Sequence, residues 1–378
     1  MSLHARRLHA HLIGRSGSRR ELNTPALIVE LAALERNIGA MATLARRAGL
    51  ALRPHAKTHK CAEIARRQIA AGAVGVCCAK LGEAEALIEA DVSPILITSP
   101  VIGPAGAARL AALAARSEGL IAAVDHPRGV EALAAAGARL DLVVDIDPGI
   151  HRTGVAHPAS ALALAQKIKA TPGLSWAGLQ FYCGMEQHIG PYAERREAIV
   201  DRTSYFKELI ETFVGAGLQP RIVTGGGTGS SAIDLELGVF TELQVGSYVF
   251  MDRQYGECEL APDASRPFET ALMVDSRVIS RNHAALATVD AGFKAFATDA
   301  GAPTVLSGAA AGSKYRFMGD EHGCVIPPEH AAPPELGEVV AFAAPHCDPT
   351  VNLYDAYHVV EGDTLVDIWP IEARGRSA

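Results

Sequence analysis

The chain has 378 residues, a formal net charge of −7, 49% hydrophobic residues and 20% charged residues. This is the balance of a globular core and excludes a disordered chain. The acidic net charge excludes a general field for nucleic acid or anionic membrane, and apolar runs such as Ile95-Leu96-Ile97 are far too short to cross a bilayer.

The first twenty residues are rich in arginine and lack the apolar stretch of a secretory signal, so 1–24 read as a surface helix or arm, with targeting as the alternative. Residues 24–30 read as a strand with a proline at its edge. Residues 31–47 carry Leu31, Leu34, Ile38, Met41 and Leu44 at helical spacing. A strand-then-helix beat follows, with strands expected at 50–53, 74–79, 95–99, 120–124, 140–146, 176–182, 221–224 and 243–248. About eight such units predict an α/β chain with a (β/α)8 TIM-type barrel. An open doubly wound sheet is the rival, and it rarely needs so many regular repeats.

The beat stops near Asp252, and 258–267, with two prolines, reads as a join. From Phe268 the pattern is β-rich, with strands expected at 272–279, 284–289, 304–306, 314–318, 339–343 and 357–369, the last punctuated by Glu361-Gly362-Asp363. The expected division is a barrel over 25–255 and a C-terminal all-β domain over 256–378, with 25–30 free to join the β domain. Seven cysteines, odd in number and without a CxxC pair, read as reduced thiols of a cytoplasmic protein.

The richest chemistry lies in Arg53-Pro54-His55-Ala56-Lys57-Thr58-His59-Lys60, where the first barrel strand ends. Lys57, flanked by cations, is expected to lose its proton more readily than a surface lysine, and a neutral amine can form a Schiff base. The alternative is a basic loop that binds an anion or faces water. Other unusual motifs also fall at C-terminal strand ends, the face on which barrel active sites form. They are the loop carrying Asp145, Asp147 and Arg152, the segment from Tyr182 to His188, the run Gly225-Gly226-Gly227-Thr228-Gly229-Ser230, and Gly246-Ser247. The glycine run exposes successive N–H groups beside two hydroxyls, a phosphate cradle. It has neither the Lys-Ser/Thr of a P-loop nor a partner acid for a dinucleotide, and its alternative is a turn needing glycine. Arg152 is placed either to hold an anionic oxygen or to pair with its own loop's aspartates.

In the β-rich part, Pro345-His346-Cys347-Asp348-Pro349-Thr350 sets His346 and Asp348 two apart. In an extended segment they face one side, so the pair is either a hard-metal site or a local hydrogen bond.

Together, Arg53–Lys60, Arg152, the glycine run and 345–350 resemble the D-threonine aldolases, within the alanine-racemase-like, fold-type III pyridoxal-phosphate proteins and close to the D-serine dehydratases. The resemblance spans about 24–369. It implies that Lys57 bonds the cofactor and that Arg152 meets its phenolate oxygen. Tyr182, Gly227, Thr228, Gly246 and Ser247 would surround the ring and phosphate. His346 and Asp348 would hold a divalent metal, Mn2+ before Mg2+, and His188 would stand near the substrate hydroxyl. It further implies a homodimer whose sites are completed by the partner's β domain. The implied reaction is metal-assisted retro-aldol cleavage of D-threonine and related D-β-hydroxy-α-amino acids to glycine and an aldehyde.

The dehydratases typically carry His-x-Cys and zinc where this chain has Asp348, which favours the aldolase. A D-serine or D-3-hydroxyaspartate dehydratase remains the alternative enzyme. A pyridoxal-phosphate carrier resembles the barrel alone. Gln244 in place of a racemase arginine, and Cys61 in place of a racemase tyrosine, argue against a racemase.

Overall fold

The computed structural model of the chain describes residues 3–378. Strand β1 (Ala26–Glu30) comes first, followed by eight parallel strands: β2 (Ala51–Leu52), β3 (Val76–Cys78), β4 (Ile95–Ile97), β5 (Ile121–Val124), β6 (Leu140–Ile146), β7 (Leu174–Phe181), β8 (Ile222–Gly225) and β9 (Glu242–Leu243). Their order is β2-β9-β8-β7-β6-β5-β4-β3. The seam between β2 and β3 closes through His55 bridging Cys77, with the Ala56 N–H donating to the Cys77 carbonyl at 2.7 Å and the Cys77 N–H to the Pro54 carbonyl at 2.8 Å. The sheet is therefore a barrel, and the open-sheet alternative falls.

Strand residues alternate between two environments, as the pleat requires. Val76, Cys78, Ile95, Ile97, Ala122, Val124, Leu142 and Val144 join the large outer core. Cys77, Leu96, Ile121, Ala123, Val143 and Ala177 form a separate cluster inside the barrel. Proline begins three of the outer helices, Pro104–Ala114, Pro127–Ala135 and Pro158–Ala170, where its missing N–H costs no helical bond. Arg53 and Glu242, on facing ends of the first and last barrel strands, form a buried two-pronged ion pair at 2.8 and 3.0 Å.

The second sheet contains β10 (Leu272–His283), β11 (Leu286–Val289), β12 (Thr304–Ser307), β13 (Lys314–Phe317), β14 (Gly323–Ile326), β15 (Val339–Ala343), β16 (Ala356–Glu361) and β17 (Thr364–Pro370). Strand β1 lies between β10, antiparallel, and β16, parallel. The N-terminal segment packs on this sheet. Leu12 and Leu22 are buried against Ala26, Ile28, Val360 and Ile368, which makes it part of a small core and not a frayed arm.

Three expectations differ from the structure. Strand β14 was not foreseen; its four residues are bracketed by turns and carry no long alternation. The expected strand 357–369 is two strands, divided at Gly362, whose φ of 61° suits glycine. The expected strand 243–248 stops at Leu243, and Ser247–Val249 is a 3-10 turn, so Gly246 and Ser247 lie beyond the strand. No helix of the described residues is long and apolar enough to cross a membrane.

The two sheets meet at the C-terminal mouth of the barrel. The Arg253 N–H donates to the Ala344 carbonyl at 3.0 Å, the Tyr357 hydroxyl to the His59 carbonyl at 2.7 Å, and the Ala373 N–H to the Lys60 carbonyl at 3.1 Å. These bonds set the segment after β15 over the turn that carries Lys57.

Candidate active site

The residues at the barrel mouth enclose a cavity of about 530 Å³. Lys57, Arg152, Tyr182, Gly227, Thr228, Gly246 and Ser247, which come from five separate loops, all line it.

Lys57 sits in the tight turn after β2, where the His59 and Lys60 N–H groups both donate to the Ala56 carbonyl. Its amine reaches into the cavity and forms an ion pair with Asp348 from the short helix after β15. Burial works against both charges, yet their mutual attraction prevails: Lys57 is held above the usual lysine range and Asp348 below the usual carboxylate range. The expectation that neighbouring cations would loosen the Lys57 proton is therefore corrected. Burial, then the Lys57 charge, pushes His55 well down, and burial pushes His59 down to about 4. Lys60 is buried in an ion pair with Glu83. His55 and His59 lose their charge on burial, Arg53 and Lys60 are neutralised by Glu242 and Glu83, and the charge that governs Lys57 is a carboxylate.

Arg152 forms no salt bridge among the described residues, so the local-pairing alternative falls. Asp147 is occupied by the N–H groups of Gly149 and His151 and by the His151 ring, and Asp145 by Thr153 and Gln180. The Arg152 guanidinium lies 5.5 Å from the Tyr182 ring centroid. Across the cavity, the Thr228 hydroxyl accepts the Tyr248 N–H at 2.9 Å, which ties the glycine run to the turn after β9. The Thr228, Gly246 and Ser247 N–H groups donate to no acceptor among the described residues.

Gln187, entirely buried, shapes this cradle. Its Oε1 accepts the Gly229 N–H at 3.0 Å and the Ser230 N–H at 3.2 Å, and its Nε2 donates to the Cys183 carbonyl and to Ser230 Oγ, both at 3.0 Å. A Cβ on Gly227 would stand 2.4 Å from that Oε1, so close approach demands glycine here. The sequence offered no signal for Gln187 beyond its place in the loop after β7.

Asp348 lies beside Lys57 and His346 two residues before it; neither lines the cavity, and the expected geometry does not hold. His346 is extended and caps a one-turn helix, Cys347–Val351, so Asp348 is already helical and the two-apart argument for a shared face does not hold. His346 Nδ1 bonds Asp299 Oδ2 at 2.7 Å, while Asp348 faces Lys57. Among the described residues no three His, Cys, Asp or Glu side chains gather as a metal set. The His188 ring packs on Tyr255, 4.5 Å between centroids. Loss of water contact holds its pKa below the usual value, and the charges of Asp252, His346 and Asp348 also reach it.

Two further residues escaped the sequence reading. Tyr255 lines the cavity, and burial keeps its phenol protonated. Asp252 caps the short helix Arg253–Gly256 by accepting the Tyr255 N–H at 3.0 Å, while its second oxygen accepts the Cys347 N–H at 2.9 Å. One buried carboxylate thus orients both Tyr255 and the His346–Asp348 turn. Its sequence signal was the N-cap position before a short helix.

A family model described as the alanine racemase N-terminal domain matches residues 29–254, and one described as a putative serine dehydratase domain matches residues 271–360. A D-threonine aldolase of Arthrobacter sp is 40% identical over 360 residues, covering 94% of this chain and 94% of that protein. A 3-hydroxy-D-aspartate aldolase of Paracoccus denitrificans (strain Pd 1222) is 35% identical over 364 residues, covering 94% and 93%. The crystal structure of D-threonine aldolase from Filomicrobium marinum superposes with a TM-score of 0.90 at 39% identity, covering 95% of this chain and 97% of that one. With the barrel carrying Lys57 and the β domain carrying Asp348 both matched, the chain belongs to the D-threonine aldolase family of alanine-racemase-like proteins.

Proposed function

We propose that this chain is a lyase that uses pyridoxal phosphate and a divalent cation to cleave D-threonine and related D-β-hydroxy-α-amino acids into glycine and an aldehyde. Membership of the family supports an aldolase that depends on pyridoxal phosphate. The observation that carries the finer reading is the meeting of Lys57 and Asp348. An amine from the barrel lines the cavity and a carboxylate from the β domain pairs with it, so cofactor and cation chemistry would act on one substrate.

The lining residues fit the cofactor. Lys57 supplies an amine for its aldehyde, the Thr228, Gly246 and Ser247 N–H groups, free among the described residues, suit a phosphate, and Arg152, without a carboxylate partner among them, suits an anionic oxygen. Pyridoxal phosphate, when bound, supplies an electron sink for the pair released as the Cα–Cβ bond breaks.

The donor set at the rim fits a hard cation with two protein ligands and water in the other positions. Asp299 occupies His346 Nδ1 and leaves Nε2 free, the arrangement in which an outer carboxylate orients a ligating imidazole. A cation there would lower the pKa of the substrate β-hydroxyl.

The chain's own groups then divide the work. In the cofactor-free chain Asp348 keeps the Lys57 amine charged; with a cation held by that carboxylate, the lysine would lose its proton to water and leave a neutral amine for the cofactor aldehyde. His188, neutral at pH 7, accepts the β-hydroxyl proton. Tyr255 stays protonated and presents a donor beside it. Asp252 holds Tyr255 and the His346–Asp348 turn in register. The reading includes a cytoplasmic homodimer in which the partner's β domain completes each site; sedimentation showing a fully active monomer would refute that part.

Incubation with D-threonine, D-serine and D-3-hydroxyaspartate, followed by assay of glycine and of keto acid, tests the proposal. Glycine from D-threonine is expected. Keto acid and ammonia without glycine would assign the chain to dehydration, the activity named for a D-threo-3-hydroxyaspartate dehydratase of Delftia sp. that is 27% identical.

A further inference from the structure

The cavity floor carries a chain of amides whose polarity is set from its far end. Gln180 Nε2 lies 2.9 Å from the Thr98 carbonyl and 2.9 Å from Asp145 Oδ1. A backbone carbonyl can only accept, so this end of the Gln180 amide is nitrogen, and both of its protons are in use. Gln180 Oε1 must then accept, and its partner at 3.2 Å is Gln244 Nε2. That nitrogen gives its other proton to Thr224 Oγ1 at 3.0 Å. Turning the Gln244 amide over would bring two amide oxygens together, which is repulsive. Gln244 Oε1 is the atom left over, and Gln244 lines the cavity.

Ring chemistry decides what meets this oxygen. With the cofactor aldehyde at Lys57, the ring nitrogen is para to the aldehyde-bearing carbon and points away from Lys57, towards the floor. Gln244 also stands beside the phosphate cradle, two residues before Gly246 and with its N–H donating to the Gly225 carbonyl at 2.7 Å. A bare nitrogen lone pair facing an amide oxygen is repelled, whereas an N–H donates to it, and a charged N–H does so more strongly.

We infer that Gln244 Oε1 is an acceptor-only contact that holds the ring nitrogen of the bound cofactor in its protonated form, with Gln180 as the positioning residue that fixes the Gln244 amide. This rests on the cofactor reading given above. A protonated ring draws electrons more strongly than a neutral one, so the floor strengthens the sink on which carbon–carbon cleavage depends. Asp145 closes the chain as its anionic end. Burial pushes its pKa up to about 6, so it is largely ionised at neutral pH and favours positive charge on the floor. Sequence alone shows only that Gln244 is not a cation. The direction in which its amide points comes from Thr98, a backbone carbonyl on another strand's loop.

The test loads the native protein and the variants Gln244→Met, Gln244→Glu, Gln244→Arg and Gln180→Met with pyridoxal phosphate carrying 15N in the ring. The 15N resonance is recorded against pH, and visible absorbance reports occupancy. Native protein and Gln244→Glu are expected at the position of the free cofactor in acid. Gln244→Met and Gln244→Arg are expected to move to the position of the free cofactor in alkali. Gln180→Met is expected to move part of the way, because the Gln244 amide can then turn. A merely structural role for Gln180 would alter occupancy or unfolding temperature and leave the resonance of bound cofactor in place, which would overturn the positioning assignment. A native resonance at the alkaline position, with full occupancy, overturns the inference while leaving the cofactor reading intact. Native protein that takes up no cofactor overturns both. If Gln244→Met does not fold, Gln244→Arg and Gln180→Met decide the outcome by the same readout.

Discussion

Gln187 offers the sharpest test of how the glycine run is held. In Gln187→Met the side chain keeps its length and loses its acceptor. The Gly229 and Ser230 N–H groups, at 3.0 and 3.2 Å from Oε1, would then be buried without a partner. Each such group costs about 1–3 kcal/mol, so the fold should lose about 2–6 kcal/mol in all. If about 2 kcal/mol of this is felt as disorder of the cradle, affinity for pyridoxal phosphate falls roughly 30-fold. Gly227→Ala should act in the same direction by another route, since its Cβ would stand 2.4 Å from the same oxygen and displace it. Titration of apoprotein with pyridoxal phosphate, followed by visible absorbance, measures the affinity, and thermal unfolding measures the stability. A Gln187→Met protein that binds cofactor as tightly as native and unfolds at the native temperature would refute the reasoning.

Borohydride reduction of cofactor-loaded protein, followed by peptide mapping, should place the label on Lys57; a label on Lys60, buried against Glu83, would reverse the assignment. Chelation, or Asp348→Ala, should abolish cleavage while the bound cofactor absorbance persists, and Mn2+ should restore the chelated enzyme; loss of cofactor in step with metal would contradict this. Arg53→Met alone should cost about 3–5 kcal/mol in denaturant unfolding, because it strands Glu242, whereas Arg53→Met with Glu242→Met should recover most of it; equal losses in both would disprove the coupling. Acid should destabilise the fold through His59. Its folded pKa of about 4 lies below the unfolded 6.5, so the unfolded state binds more protons between these values; the contribution is complete above pH 6.5 and about 3 kcal/mol is lost as pH falls to about 4. His59→Gln should flatten that part of the stability–pH curve, and an unchanged slope would exclude His59 as its source.

The strand–helix beat from Leu50 to Asp252 was legible because periodicity is local: each strand and helix declares itself within ten or so residues. The cavity-lining set was legible for a related reason. A barrel gathers the C-terminal ends of its strands, so motifs scattered from Lys57 to Ser247 must converge once the barrel is recognised. What the tertiary structure decided was pairing between distant segments. Strand β1 lies in the second sheet because Leu272–His283 and Ala356–Glu361 offer it edges, a choice its own residues left open. The protonation of Lys57 reversed the sequence expectation because its governing neighbour, Asp348, is 291 residues away, while the nearby histidines lose their charge on burial. His346 and Asp348 do not share a strand face, because one turn of helix replaced the extended segment assumed for them. Gln187 carried no signal beyond its place in a loop, and Gln244 showed only that a racemase arginine is replaced, not what its amide would do. An amide becomes an acceptor or a donor only through the partners it meets, and those partners come from other strands and loops.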